Sequence, residues 1–312
     1  MKIVSLLPSA TELLCELGLG ENLVGVSHEC DYPDFVLTLP KVTRSLIPKG
    51  TPSDTINALV SEQLVTEHAL YHLDYDLLGE LQPDFLVTQS LCEVCAVAQD
   101  EVMRAIQKLP SSPRVINLEP SRLSDVYATL GLIGRETQRQ SAAQAAVDAL
   151  KHRVARVSER TRRHLPMAHR PRVVFLEWLN PPFNAGHWTP ELIEMAGGIS
   201  LLDNRFCPSQ ALRWADIWAA APDILFVACC GFDEQRTLVD IAALVGEMSA
   251  APPNLQTLLY LVDGNAYFSR PGPRLVDSLE IMAHALHPQI HALPDHLVPA
   301  QNLGPAAKLG RG

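Results

Sequence analysis

Apolar and polar positions fall along the chain in two kinds of block. Residues 2–7 (KIVSLL), 23–26 (LVGV), 85–88 (FLVT) and 114–118 (RVINL) are short apolar runs bounded by Pro, Gly and Asp, a pattern that predicts largely buried strands. Between them lie amphipathic stretches, the first capped by Ser9 or Thr11, running to Leu17 and stopped by Gly18 and Gly20. The second half repeats this logic, with strands predicted at 173–176, 224–228 and 258–262 and a helix at 191–196. Gln82-Pro83-Asp84 and Ala221-Pro222-Asp223 each precede an apolar run, so the same punctuation occurs twice. The alternation of strand and helix predicts an α/β fold built as two similar Rossmann-like lobes with mostly parallel sheets.

Residues 139–164 contain neither Pro nor Gly, and Val147, Leu150, Val154 and Val157 share one helical face. At 1.5 Å per residue such a helix is about 39 Å long, enough to join two lobes stiffly. The expected organisation is a first lobe over 1–121, a connecting helical segment over 122–166, a second lobe over 167–290 and a flexible tail over 291–312, rich in Pro, Ala and Gly.

Composition narrows the function. With 47% hydrophobic and 19% charged residues the chain has material for two cores, and a net charge of −10 argues against non-specific nucleic-acid binding. Its apolar runs are too short to span a membrane. Glu12 and Glu16 interrupt the only apolar N-terminal run, so no export signal is expected. The odd total of 7 Cys fits reduced thiols, and a cytoplasmic location is expected on both grounds.

The densest candidate chemistry lies at 177–198, directly after a predicted strand, where open α/β sheets bind ligands. It gathers Trp178, Phe183, His187 and Trp188 in a chain of only 4 Trp and 8 Phe. Neutral His187 beside Trp188 could ligate the metal of a chelate. His28 and Glu29 follow another strand, and Arg44 and Arg270 are candidates to pair with ligand oxygens. Cys92 and Cys95 have C-x-x-C spacing on a strand-end loop. With Cys30 and Cys230 they could converge as ligands for Zn²⁺ or an iron-sulfur cluster, form a redox pair, or simply pack as small apolar side chains. No nucleophile elbow, dinucleotide fingerprint or phosphate loop is present, and catalysis is not expected.

Five segments carry a family resemblance, in order along the chain: 3–12 (IVSLLPSATE), 24–33 (VGVSHECDYP), 82–88 (QPDFLVT), 180–186 (NPPFNAG) and 267–275 (YFSRPGPRL). With them the chain resembles the helical-backbone, or class III, substrate-binding proteins of ABC importers, which bind siderophores, heme and vitamin B12. SHECDYP, CEVCAV, GHWTPE and DGNAYFSRPGPR are most similar to a group labelled cobalamin-binding protein. The resemblance implies two α/β lobes with ligand in a cleft between them and an aromatic ligand contact at Phe183. It also implies cleft-lining turns at DYP and YFSR, the latter holding Tyr267, Phe268 and Arg270. The expected function is non-catalytic binding of a corrinoid or related metal chelate, with a transporter permease as a possible partner. The alternatives are a metalloprotein or enzyme using the cysteines, and a protein-interaction module with a closed cleft.

Overall fold

Each half of the chain builds its own sheet, parallel in the first half and mainly parallel in the second. The computed structural model describes residues 1–48, 50–53, 55–56, 59–60, 70–89, 109, 111–250, 252 and 255–309. It divides into two compact units, Met1–Asp148 and Ala149–Gly312. The first holds β1 (Ile3–Ser5), α1 (Pro8–Glu16), β2 (Leu23–Val26), β3 (Thr43–Ser45), β4 (Tyr71–Leu73), α2 (Tyr75–Leu81), β5 (Phe85–Gln89), β6 (Arg114–Leu118) and α3 (Leu123–Glu136). Its main sheet has the order β2-β1-β5-β6 with every pairing parallel. β1 and β5 are buried along their whole length, as strands of a parallel sheet covered on both faces must be. Pro8 starts α1, where a missing N–H costs nothing, and Gly18 at φ +69 follows its end. β3 and β4 form a separate antiparallel pair in which Arg44 lies opposite His72.

The helix predicted at 139–164 is α4 (Gln140–His164), which begins in the first unit and ends in the second. The second unit continues with β7 (Arg172–Leu179), β8 (Pro182–Asn184), β9 (Gly186–His187), α5 (Thr189–Ala196), β10 (Ile199–Ser200), β11 (Asn204–Arg205), α6 (Trp214–Ala219) and β12 (Ile224–Val227). Then come α7 (Glu234–Ala243), α8 (Val245–Ser249), β13 (Leu258–Leu261), α9 (Leu275–Leu286) and β14 (Gln301–Pro305). Its sheet has the order β10-β7-β12-β13-β14, with β8 folded back on β7. Phe175 and Phe226 stack at its centre with ring centroids 5.6 Å apart.

The repeated Pro-Asp punctuation has one structural cause. Gln82 and Ala221 both turn the chain through positive φ, at 48° and 47°. The next acid then reaches the neighbouring strand: the Lys2 N–H donates to Asp84 Oδ2 at 2.7 Å, and the Arg172 N–H donates to Asp223 Oδ2 at 2.7 Å. In each lobe this ties the start of the first strand to the start of its neighbour.

The segment from 291 onward differs from the expected flexible tail. His291, Leu297 and Ala306 are buried, and β14 extends the second sheet by antiparallel pairing with β13. Its Pro, Ala and Gly content suggested weak order, but an open sheet edge supplies hydrogen-bond partners that composition does not reveal. Among the described residues no helix is long and apolar enough to cross a membrane.

Candidate functional site

β7 ends at the carboxyl edge of the second sheet and turns back at once through β8. Antiparallel register pairs Trp178 with Phe183, so both rings stand on one face. The Trp178 indole N–H donates to the Asn180 carbonyl at 3.2 Å, and its ring meets Phe232 at 4.8 Å. Phe232 lies just beyond β12, and the Arg236 guanidinium sits 4.8 Å over its ring. Trp178, Phe183 and Phe232 are all half-buried, which leaves ring area facing water at the ends of two adjacent strands. Phe232 and Arg236 were not among the residues singled out from sequence. The turn Cys230-Gly231-Phe232 follows a strand just as the 177–198 loop does, and that position was the available signal.

Glu177 organises the loop behind these rings. Its Oε1 accepts the Gly186 N–H at 2.9 Å, and hydroxyls of Ser209 and Thr189 also donate to its carboxylate. Burial outweighs these three bonds and raises the carboxyl pKa above its ordinary value. Gly186 is required here, because a Cβ would lie 2.5 Å from the Ser209 nitrogen. His187 follows at φ +47, half-buried, with Nε2 shielded from water and lacking a hydrogen-bond partner. Burial lowers its pKa, so the ring is neutral at neutral pH.

Three expected ligand contacts are instead core. Trp188 is 5% exposed and donates its indole N–H to the Phe268 carbonyl at 2.6 Å. Phe268 is 3% exposed, its ring 5.0 Å from Phe175 and 5.7 Å from Phe226. Arg270 is buried and donates to Asn265 Oδ1 at 2.9 Å. These side chains seal the two loops onto the strand ends, and an indole N–H removed from water must find an acceptor nearby. Tyr267 stays half-buried, with the Arg274 guanidinium 4.7 Å over its ring.

Among the described residues of the first lobe, polar groups gather around Thr43. Thr43 Oγ1 accepts the His28 N–H at 3.0 Å, lies 2.7 Å from His28 Nδ1 and donates to Ser27 Oγ at 3.1 Å. The Tyr71 hydroxyl donates to Glu29 at 3.1 Å, and its ring sits 5.3 Å from that of His28. Arg44 is exposed and, with His72, Asp74 and Tyr75, borders a cavity of about 380 Å³.

Two of the four candidate cysteines, Cys30 and Cys230, lie among the described residues. Cys30 is buried in the first lobe with Sγ 3.1 Å from Thr11 Oγ1, whereas Cys230 is exposed on the loop after β12 of the second. Cys92 and Cys95 lie outside the described residues. Among the described residues no group of three or more His, Cys, Asp or Glu side chains is arranged to hold a metal ion. A metal site at Cys30 and Cys230 is therefore not supported, and Cys30 packs as a small buried side chain.

Comparison with known proteins places this geometry. The sequence profile of the family described as "Periplasmic binding protein" matches residues 3–244. The vitamin B12-binding protein of Vibrio cholerae serotype O1 is 22% identical over 283 residues, covering 89% of this chain and 86% of that one. The fold is shared with a periplasmic heme-binding protein of Pseudomonas aeruginosa, 17% identical with TM-score 0.70 over 96% of this chain and 97% of that one. It is shared too with the periplasmic vitamin B12-binding protein of Vibrio cholerae, 18% identical with TM-score 0.61 over 90% and 94%. These matches overturn the cytoplasmic expectation, since the matching family and structures are periplasmic. Glu12 and Glu16 belong to α1, and Glu12 is 4% exposed. They interrupt the apolar run because it is a folded helix of the first lobe, and they carry no information on export.

Proposed function

We propose, for a chain that belongs to the periplasmic binding protein family and is a substrate-binding protein of that type, that its ligand is a corrinoid-like metal chelate. The observation that supports this reading is the row of half-buried rings formed by Trp178, Phe183 and Phe232, with Arg236 at its edge. Such a surface suits a broad, flat, partly apolar ligand with polar groups at its rim. The relative named for vitamin B12 favours a corrin over other flat chelates, and the family's role makes an ABC importer permease the partner proposed. Tyr267 borders the same strand ends and adds a fourth ring. His28, Glu29 and Arg44 are proposed as polar contacts supplied by the first lobe.

Titration of the protein with cyanocobalamin, hydroxocobalamin and hemin, followed by tryptophan emission and visible absorption, tests this. A saturable quench with a cobalamin is expected, weakened by about 1–3 kcal/mol in Trp178→Ala and in Phe183→Ala. Saturation by hemin alone would replace the corrin with a porphyrin, and absence of any saturable signal would remove the flat-chelate reading.

A further inference from the structure

The opposite end of α5 from the His187–Trp188 loop is held by two buried histidines. His287, which ends α9, is 4% exposed, and its Nε2 lies 3.0 Å from the Gly197 carbonyl oxygen. Gly197 stands at φ +97, and a Cβ there would come within 3.0 Å of His287 Nε2 and 2.7 Å of Leu165. His291 is 5% exposed with Nε2 3.0 Å from Thr161 Oγ1, and Thr161 in turn donates to the Met195 carbonyl at 3.1 Å. The Thr161 hydrogen is thus committed, so His291 donates Nε2–H to its oxygen. His287 likewise donates Nε2–H, because a carbonyl can only accept. The two rings connect α4, the carboxyl end of α5 and the chain following α9.

The groups that act on these rings by charge are basic or can become so. Arg160 and His164 face His291 from α4, His284 and His287 face it from α9, and Arg170, just before β7, faces His287. On α5 itself Glu194 is paired with Arg205. A proton added to either ring places a charge where water is excluded and the neighbours repel it. Burial, then the neighbouring basic groups, push His291 down to about 4; burial also lowers His287. A histidine with a depressed folded pKa contributes stability that is fully present above its unfolded value of about 6.5. That contribution is lost as pH falls toward the folded value.

We propose that His287 and His291 form an acid-released clasp that fixes the carboxyl end of α5 and the chain after α9 and loosens both in mild acid. The clasp is read without reference to any ligand. Its consequence, weaker ligand binding in acid through the loop at the other end of α5, rests on the function proposed above.

Hydrogen exchange of the full chain at about pH 7.5 and about pH 5, corrected for intrinsic rates, reads the clasp directly. Protection of residues 193–199 and 284–297 is expected to fall about tenfold in acid, while the strands of the first lobe keep theirs. His287→Gln/His291→Gln keeps an amide donor at each position without a titrating group, and its protection should not change with pH. Imidazole titration by NMR of the unaltered protein is the second measure, and carries the test alone if the variant fails to fold. Both rings should titrate below the free value, His291 near about 4. Midpoints near about 6.5, an unchanged exchange pattern, or the same acid loss in the double variant would each overturn the clasp. A protein that shows the clasp yet binds no cobalamin or hemin would leave this inference standing and remove only the ligand reading.

Discussion

The two lobes use the same joinery and end in different chemistry. In both, a residue at positive φ, a proline and an aspartate lead into a central strand, and the aspartate binds the N–H at the start of the lobe's first strand. Beyond the strands the first lobe offers hydroxyl, imidazole and carboxylate groups around Thr43, whereas the second offers half-buried rings around Trp178. Backbone hydrogen bonding at a strand start is indifferent to the ligand, so the scaffold can repeat. Under the proposed function, side chains at the strand ends would carry recognition, and there the lobes are free to diverge.

The sharpest way to break this comparison is Trp188→Ala. If that ring seals the second lobe, stability should fall by about 3–5 kcal/mol in urea unfolding, from lost packing and an orphaned carbonyl at Phe268. Unchanged stability with weakened ligand binding would return Trp188 to the ligand surface. In the first lobe, Thr43→Val keeps the shape and removes the shared hydroxyl. Leaving the His28 N–H without its acceptor should cost about 1–3 kcal/mol. A neutral result would show water taking its place.

Glu177→Gln should move stability the other way, and by less. The carboxyl pKa is raised in the folded protein, so its proton-linked stabilisation is complete below the unfolded pKa of about 4.3 and lost as pH rises through the folded value. The glutamine variant can keep the Gly186 bond without a buried charge. Near neutral pH it should unfold at higher urea than the parent, with the gain closing toward about pH 4. Equal curves at every pH would mean that the three donors fully offset burial. The smallest effect is expected at Arg44→Ala: exposed beside its cavity, it should change stability by no more than about 0.5 kcal/mol and register only in ligand affinity.

Much of the fold was legible because its signals are local. The apolar runs at 2–7, 85–88 and 224–228 became the strands Ile3–Ser5, Phe85–Gln89 and Ile224–Val227, and the stretch 139–164 without Pro or Gly became Gln140–His164. The Pro-Asp repeat marked equivalent joints in the two halves. Much less of the site was legible. That the 177–198 loop sits at a strand end followed from sequence order, but which of its rings face water did not. Trp178 and Phe183 stay half-exposed through their pairing across a hairpin, while Trp188, ten residues after Trp178, is sealed by a carbonyl eighty residues away.

By itself, then, the sequence determined the succession of strands and helices, the duplicated lobe and the loops that could carry chemistry, since periodicity, turn residues and caps act between near neighbours. Only the tertiary structure decided that Cys30 is buried in one lobe and Cys230 exposed in the other. It alone placed Phe232 and Arg236 beside Trp178, paired β14 with β13, and put His287 and His291 among basic groups. Burial, ring contact and pKa depend on atoms far away in the chain, and no local pattern of residues records which distant side chain will stand beside which.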